Sequence, residues 1–218
     1  MTKRITALLI SGNGSNMRAL INAAKDEDYP AEIALVISNR PKAKGIEFAK
    51  QNNIPVEVID HTSFETRDAF DEALDGALKN VKAELVCNAG FKRLLGQEFV
   101  KNWHNRQLNI HPSLLPAFKG LHTHERALEK DVKITGCTVH FVRYDMDTGP
   151  IVAQAAVPVV PGDTAQDLEQ RVLQAEHKLY PQALKWVASG AVRVVGEKVI
   201  FQDEFSCQEA LFSPSFAE

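Results

Sequence analysis

Residues 5–24 read ITALLISGNGSNMRALINAA and contain three local patterns in immediate succession. The first is a short apolar run, Ile5 to Ile10, which is typical of a buried strand. The second is the glycine-rich segment SGNGSN at residues 11–16. In the third, apolar side chains recur at helical spacing, beginning at Met17. The stretch therefore predicts a strand, a tight glycine turn and a helix.

The predicted turn at residues 11–16 has the properties of a phosphate cradle. Glycines let the backbone approach an anion, and the N–H groups at the following helix start point toward it. Met17 occupies the place of the third glycine of a dinucleotide motif, and no Lys-Ser/Thr pair makes a Walker A loop. A small phosphate monoester fits better, although a plain strand-to-helix turn explains this segment by itself equally well.

Strand and helix patterns alternate through the rest of the first half. A capping box of Thr62 and Glu65 predicts the start of a helix with Phe70, Leu74 and Leu78 on its apolar side. This alternation predicts an α/β fold with a Rossmann-like, doubly wound, mostly parallel sheet and helices on both faces. The further strands are predicted at 33–37, 56–59, 85–87 and 108–110, with a short helix after Pro41.

In such a sheet, ligands bind where the strands end. Three loops should therefore meet at the carboxyl edge of the sheet, namely residues 11–16, 88–95 and 109–121.

The second half has a different pattern. Strands at 134–142 and 151–157 are predicted to pair as a hairpin. A long helix is predicted to begin at Asp163 and to kink or split at Pro181, and a last hairpin follows at 192–201. We expect a single domain over residues 1–203, with halves at about 1–106 and 107–203. Residues 204–218 are expected to form an irregular tail.

The composition is that of an ordinary globular protein. The 218 residues are 44% hydrophobic and 24% charged, and the net charge of −3 gives no field that would attract nucleic acid or an anionic membrane. No apolar run approaches the roughly 20 residues of a membrane span. Cys87, Cys137 and Cys207 are an odd set without a C-x-x-C motif, so we expect a reducing, cytoplasmic location. His122 and His124 are a weak metal motif, and we expect no metal.

The segment NIHPSLLP, residues 109–116, places an amide and an imidazole two positions apart near a predicted strand end. Residues i and i+2 of a strand face the same side, so Asn109 and His111 should share one surface. An amide donor beside a group that carries a proton near neutral pH suits acyl-type chemistry. A strand end with a satisfied histidine is the alternative, and His140 is expected in the core or a pocket wall.

Three motifs together resemble the folate-dependent glycinamide ribonucleotide formyltransferases of purine synthesis. They are SGNGSN, NIHPSLLPAFKG from Asn109, and GCTVHFVRYDMDTGPIV from Gly136. The similarity keeps the same order and spacing from about Ile5 to about Phe201. It implies a formyltransferase fold and transfer of a formyl group from 10-formyltetrahydrofolate, the co-substrate, to the amine of glycinamide ribonucleotide.

The resemblance also implies roles for particular residues. The catalytic set would be Asn109, His111 and Asp147. Glu176 would bind the ribose hydroxyls of the nucleotide. The phosphate would be held by Gly14, Ser15 and Asn16, with Gly12 and Asn13 shaping the turn. The folate would be bound by Arg67, Lys92, Arg93, Leu94, Leu95, Val100 and Asn109.

Some positions depart from the family pattern, and other functions remain open. Lys92, Tyr144 and Leu173 differ from residues that are frequent in the family, which affects ligand contacts rather than the reaction. A formyltetrahydrofolate hydrolase is the alternative enzyme, although hydrolases carry an added N-terminal domain ahead of the first strand. Methionyl-tRNA formyltransferase and a phosphosugar-binding sensor are further alternatives. We expect a monomer or weak homodimer that acts on small molecules, with no nucleic-acid or membrane partner.

Overall fold

A computed structural model describes residues 2–203, 211 and 213. These residues form a seven-stranded sheet, six helices and a two-stranded hairpin. The strands of the sheet are β1 (Arg4–Ile10), β2 (Ala31–Ser38), β3 (Val56–Val58), β4 (Leu85–Asn88), β5 (Gln107–His111), β6 (Ile134–Phe141) and β7 (Ile151–Pro158). The helices are α1 (Ser15–Ala23), α2 (Gly45–Gln51), α3 (Arg67–Asn80), α4 (Gln97–Asn102), α5 (Thr123–Glu129) and α6 (Ala165–Ser189). The hairpin is β8 (Val192–Val195) with β9 (Lys198–Phe201).

The strand order is β3-β2-β1-β4-β5-β6-β7. The first five strands in this order are parallel, and β6 and β7 continue the sheet as an antiparallel hairpin. The order reverses between β1 and β4, which creates a crevice at their carboxyl ends where doubly wound proteins bind ligands. The predicted fold class and the predicted hairpin are confirmed.

The two faces of the sheet are covered by different helices. Leu8 and Ile10 of β1 belong to a core that includes Leu20 of α1 and Leu184 of α6, while the alternate residue Leu9 belongs to the other core. That second core packs α3 and α4 against the sheet, through the buried side chains Phe70, Leu74, Phe99 and Trp103. Because both faces of β1 are buried, the strand is apolar at successive positions rather than at alternate ones.

The predicted capping box at Thr62 and Glu65 is wrong. Thr62 lies in a short 3₁₀ helix, His61–Ser63, capped by Asp60. The cap of α3 is Thr66, whose hydroxyl accepts a hydrogen bond from the backbone N–H of Ala69. Thr62, Ser63 and Thr66 lie close together here, and the chain forms the 3₁₀ turn before α3 begins.

Helix α6 also differs from the prediction. It begins after Thr164, which forms a capping box with Asp167, rather than at Asp163. The helix continues through Pro181 to Ser189 without splitting. Tyr180 and Leu184 are fully buried on either side of the proline, and this burial offsets the roughly 3 kcal/mol that a proline costs inside a helix.

Two sequence predictions concern residues at the C-terminal end. The irregular tail predicted for 204–218 and the thiol of Cys207 lie outside the described residues, apart from Leu211 and Ser213.

Cys87 and Cys137 are buried as expected, and burial raises the pKa of each thiol to about 12. In the described part of the chain, no helix combines the length and hydropathy of a membrane-spanning segment.

Candidate active site

The glycine turn lies at the carboxyl end of β1, beside the start of α2. Gly14 precedes α1 with a φ of 67°, and no side chain caps that helix, so its first N–H groups are available to an anion. The N–H of Gly45 donates to the carbonyl of Gly12 at 3.0 Å. A Cβ on Gly14 would lie 3.3 Å from Cα of Gly45. Gly45 therefore packs against the glycine turn, a contact that was not predicted from the sequence.

Asn16 and Glu176, predicted to bind different parts of the nucleotide, contact each other directly. The Asn16 amide donates from Nδ2 to Oε2 of Glu176 at 2.7 Å, and both side chains are buried. Oδ1 of Asn16 is also buried but has no hydrogen-bond partner in the structure. Burial raises the pKa of Glu176 to about 7, so this carboxyl holds its proton in weak acid. The pair forms a polar wall next to the cradle.

His111 and Asp147 lie side by side at the end of β5. Nδ1 of His111 is 3.4 Å from Oδ2 of Asp147, and both side chains are almost fully buried. Asp147 has a φ of 54° and its Oδ2 accepts from the N–H of Gly120 at 2.9 Å. Nε2 of His111 faces the carbonyl of Phe118 at 2.9 Å. Both ring nitrogens of His111 therefore face oxygen acceptors.

His140 completes this group by joining Asn109 to Asp147. Its Nδ1 is 2.9 Å from the carbonyl of Phe141, an acceptor, so Nδ1 carries the proton. Nε2 is then an acceptor for the amide of Asn109, whose Nδ2 is 3.2 Å away. The same Nε2 is 3.8 Å from Oδ1 of Asp147. Burial lowers the pKa of His140, which agrees with a neutral ring.

From the sequence, His140 was expected in the core or a pocket wall. It is buried as expected, but its ring also orients the amide of Asn109. Asn109 and His140 are paired across β5 and β6. A histidine in the first strand of the predicted hairpin was the available signal, but the pairing register that brings it to Asn109 is not visible in the sequence.

The residues predicted to bind folate cluster around the segment that follows β4. Arg93 stacks on Phe70 with its guanidinium carbon 5.2 Å from the ring centroid. Leu94 is exposed, whereas Leu95 and Val100 are packed in the core between the sheet and helices α3 and α4. Lys92 and Arg67 have exposed side chains, and Arg67 lies at the start of α3 next to Gly96. The predicted folate residues therefore include the buried apolar side chains Leu95 and Val100 and the exposed residues Arg67, Lys92 and Leu94.

Asp71 fixes the end of that segment, and the sequence analysis did not identify it. Its Oδ2 accepts from the N–H of Gly96 at 2.6 Å, and burial raises the pKa of this carboxyl. Oδ1 of Asp71 and Nε of Arg93 are buried without a hydrogen-bond partner. A polar residue on the apolar side of the predicted α3 was the only signal in the sequence.

The described residues contain no cluster of three His, Cys, Asp or Glu side chains that could hold a metal ion. His122 is exposed and lies 3.5 Å from Glu125, while Nδ1 of His124 is buried without a partner. Burial lowers the pKa of His124. These two histidines therefore have different surroundings.

The fold and the site define the class of this protein. A doubly wound sheet carries, at the carboxyl ends of its parallel strands, a glycine turn with free helix N–H groups and an Asn-His-Asp group, an arrangement suited to group transfer. Residues 3–184 match the family described as Formyl transferase. The chain belongs to this formyl transferase family, and the resemblance inferred from its motifs is confirmed.

Two relatives and one solved structure show which members of the family this chain is similar to. The chain is 41% identical to the phosphoribosylglycinamide formyltransferase of Escherichia coli strain K12, over 86% of this chain and 88% of the relative. It is 50% identical to the trifunctional purine biosynthetic protein adenosine-3 of Bos taurus over 88% of the chain, which spans only 19% of that longer protein. The crystal structure of glycinamide ribonucleotide transformylase 1 from Symbiobacterium toebii superposes with a TM-score of 0.90 at 43% identity, covering 92% of this chain and 95% of the other.

The alternative enzyme has a more distant representative. A formyltetrahydrofolate deformylase from Pseudomonas syringae shares 22% identity at a TM-score of 0.86, covering 93% of this chain and 67% of the other. At that identity the likeness concerns the fold alone.

Proposed function

We propose that this chain is a phosphoribosylglycinamide formyltransferase of purine synthesis. It moves the formyl group of 10-formyltetrahydrofolate to the amine of glycinamide ribonucleotide, giving formylglycinamide ribonucleotide and tetrahydrofolate. Residues 1–203 would form the single catalytic domain. The observation that carries the proposal is the contact of His111 with Asp147 at 3.4 Å, on the strand that also presents Asn109.

The reaction needs an oxyanion to be stabilised. The amine nitrogen attacks the formyl carbon, and the carbonyl oxygen becomes negative as the tetrahedral intermediate forms. One N–H of the Asn109 amide is directed at His140, which leaves the second N–H for that oxygen. One such donor is typically worth about 3 kcal/mol of the activation barrier.

The reaction also needs one proton to be moved. The new bond joins the amine nitrogen to the formyl carbon, and the bond from that carbon to N10 of the folate breaks. One proton leaves the attacking nitrogen and one reaches N10. His111 and Asp147 would relay it, directly or through water. In this structure Nε2 of His111 contacts the carbonyl oxygen of Phe118, so substrate binding would displace that carbonyl from the ring.

The nucleotide would bind between α1, α2 and α6. The free N–H groups at residues 14–16 would hold its phosphate, as Gly12 and Asn13 shape the turn. Glu176 would accept hydrogen bonds from the ribose hydroxyls. The unpartnered Oδ1 of Asn16 is a second acceptor in the same wall, which suits a diol better than a phosphate.

The folate would bind on the surface built around the segment after β4. Leu94 would contact the pterin ring above the apolar base formed by Leu95 and Val100. The exposed cations Arg67 and Lys92 would meet its anionic glutamate tail or the acceptor oxygens of the pterin. No metal takes part in this proposal, and a monomer or weak homodimer in the cytoplasm stays the expectation.

An absorbance assay with 10-formyltetrahydrofolate tests the proposal. Folate product should form rapidly only when glycinamide ribonucleotide is present, because the amine is the acceptor. Equal rates without the amine would instead identify a hydrolase. Tight nucleotide binding with no folate product under either condition would indicate a sensor.

A further inference from the structure

A single buried hydroxyl joins the two loops to which we assign the two substrates. Oγ of Ser11 donates to Oδ1 of Asn39 at 2.7 Å and accepts from the backbone N–H of Lys92 at 2.7 Å. Ser11 and Asn39 are 4% and 1% exposed. The proposed chemistry uses neither side chain, and the sequence analysis assigned neither a role.

The positions of these residues give the contact its significance. Ser11 is the first residue after β1 and opens the glycine turn of the proposed nucleotide site. Lys92 opens the segment 92–95 of the proposed folate site. Strands β2, β1 and β4 are neighbours in the sheet, so Ser11 lies in the middle of three adjacent strand ends.

The Asn39 side of this chain of bonds is held in place. The backbone N–H of Asn39 donates to the carbonyl of Ile10 at 3.3 Å, and its own carbonyl lies 2.8 Å from Nδ1 of His61. Asn39 therefore cannot follow a movement of Ser11 without losing further contacts. A displacement of the glycine turn would be transmitted to Lys92 rather than absorbed by Asn39.

We infer that Ser11 is a positioning residue that couples nucleotide binding to folate binding. The inference rests on the proposed function, because that function assigns the two loops to the two ligands. The buried Ser11 hydroxyl donates one hydrogen bond and accepts another. Moving either loop would therefore leave a buried polar group without its hydrogen-bond partner. Ordering of one loop by its ligand then lowers the entropic cost of ordering the other. Each ligand should tighten the binding of the other, by at least about fivefold.

The test measures this coupling directly by calorimetry on the full chain. The dissociation constant of glycinamide ribonucleotide is determined alone and with saturating tetrahydrofolate, a pair that cannot react because neither carries a formyl group. The ratio of the two constants is the coupling factor. It is measured for the unmodified protein and for Ser11→Ala, Ser11→Thr, Asn39→Ala and Ser38→Ala.

Ser38 provides a matched control on the same edge of the sheet. It is fully buried, and its Oγ both donates to the carbonyl of Arg40 at 2.8 Å and accepts from the Arg40 N–H at 3.2 Å. Ser38→Ala therefore removes the same hydroxyl and two hydrogen bonds, but none that reaches another loop. A general loss of stability would affect Ser38→Ala and Ser11→Ala alike.

We expect the coupling factor to fall close to one in Ser11→Ala and to fall partly in Asn39→Ala. It should be retained in Ser11→Thr and Ser38→Ala. The inference is overturned if the unmodified protein binds both ligands without coupling, or if Ser11→Ala keeps its factor. A Ser38→Ala factor reduced as far as that of Ser11→Ala would overturn it too. If Ser11→Ala does not fold, Asn39→Ala decides the matter, and an unchanged coupling factor in that variant overturns the inference. Failure of the proposed function is distinct, because the unmodified protein would then show no formyl transfer that depends on glycinamide ribonucleotide, whatever its coupling factor.

Discussion

Asn16 and Glu176 lie 160 positions apart in the chain, yet a hydrogen bond of 2.7 Å joins Nδ2 of the first to Oε2 of the second. The bond connects the first turn of α1 to the middle of α6, across the proposed nucleotide site. Its acceptor is a buried carboxyl with a pKa of about 7. The charge of this wall therefore changes within the physiological pH range.

Glu176→Gln should change how stability depends on pH. The folded protein holds the carboxyl proton up to about pH 7, whereas the ordinary pKa is 4.5. The stabilisation by this proton is complete below 4.5 and is lost as the pH rises through 7. Relative to the unmodified protein, Glu176→Gln should gain about 2 kcal/mol of unfolding free energy between pH 5 and pH 8. Urea titrations of both proteins at pH 5 and pH 8 check this. If the unfolding free energies of the two proteins differ by the same amount at both pH values, the prediction is wrong.

Asp147→Asn should abolish most turnover with little effect on binding. Asparagine tolerates the positive φ of 54° at this position, and its amide oxygen can still accept from Gly120. The lost carboxylate should lower kcat by roughly 10²- to 10⁴-fold and leave both KM values within a few-fold. Steady-state kinetics measures this. The neighbouring Asp145→Asn, at an exposed residue, serves as control and should behave as the unmodified protein.

His140→Phe tests the orientation of Asn109. The ring fills the buried space but has no nitrogen to accept from the Asn109 amide, which is then free to rotate. A misplaced donor should lower kcat by roughly 10- to 100-fold with unchanged KM for the nucleotide. His140→Gln, which offers an amide oxygen as acceptor, should recover part of the loss. Unaltered kcat in His140→Phe would mean that Asn109 is held by other contacts.

Gly45→Ala should weaken nucleotide binding selectively. The added Cβ would lie 2.8 Å from Cδ1 of Ile10, so this buried side chain must shift at the end of the strand that leads into the turn. The Cβ would also contact the carbonyl oxygens of Gly12 and Asn13 at 3.4 Å. The KM for the nucleotide should rise several-fold, while the KM for the folate stays the same. Gly76→Ala is the matched control, since its Cβ would meet no atom within 4 Å. A parallel rise in the folate KM would argue against a local effect.

Asp71→Ala should both destabilise the protein and loosen the proposed folate loop. It leaves the buried N–H of Gly96 without its acceptor, which costs about 1–3 kcal/mol of unfolding free energy. The KM for the folate should rise, and the KM for the nucleotide should not. Asp71→Asn keeps an acceptor oxygen and removes a buried charge, so it should be close to the unmodified protein. Equal losses in both variants would show that the charge, not the hydrogen bond, matters.

Predictions that depend on neighbouring residues were accurate. The glycine turn after β1, the alternation of strands and helices, and the strand-end position of Asn109 and His111 all follow from local patterns. Errors occurred where two local signals competed. Thr62 and Thr66 are both potential caps, and of the kink or split predicted at Pro181 the split does not occur, because Tyr180 and Leu184 are buried beside the proline.

Composition, periodicity and motifs are properties of short segments, and they were enough to establish the α/β class and the resemblance to the formyltransferases. The partners of individual side chains were decided by packing over long distances. The β5–β6 register places His140 opposite Asn109, and the sheet order puts the hydroxyl of Ser11 between Asn39 and Lys92. No local pattern encodes these contacts, because a register shift of one residue or a rotation of one helix would replace every partner without changing the pattern.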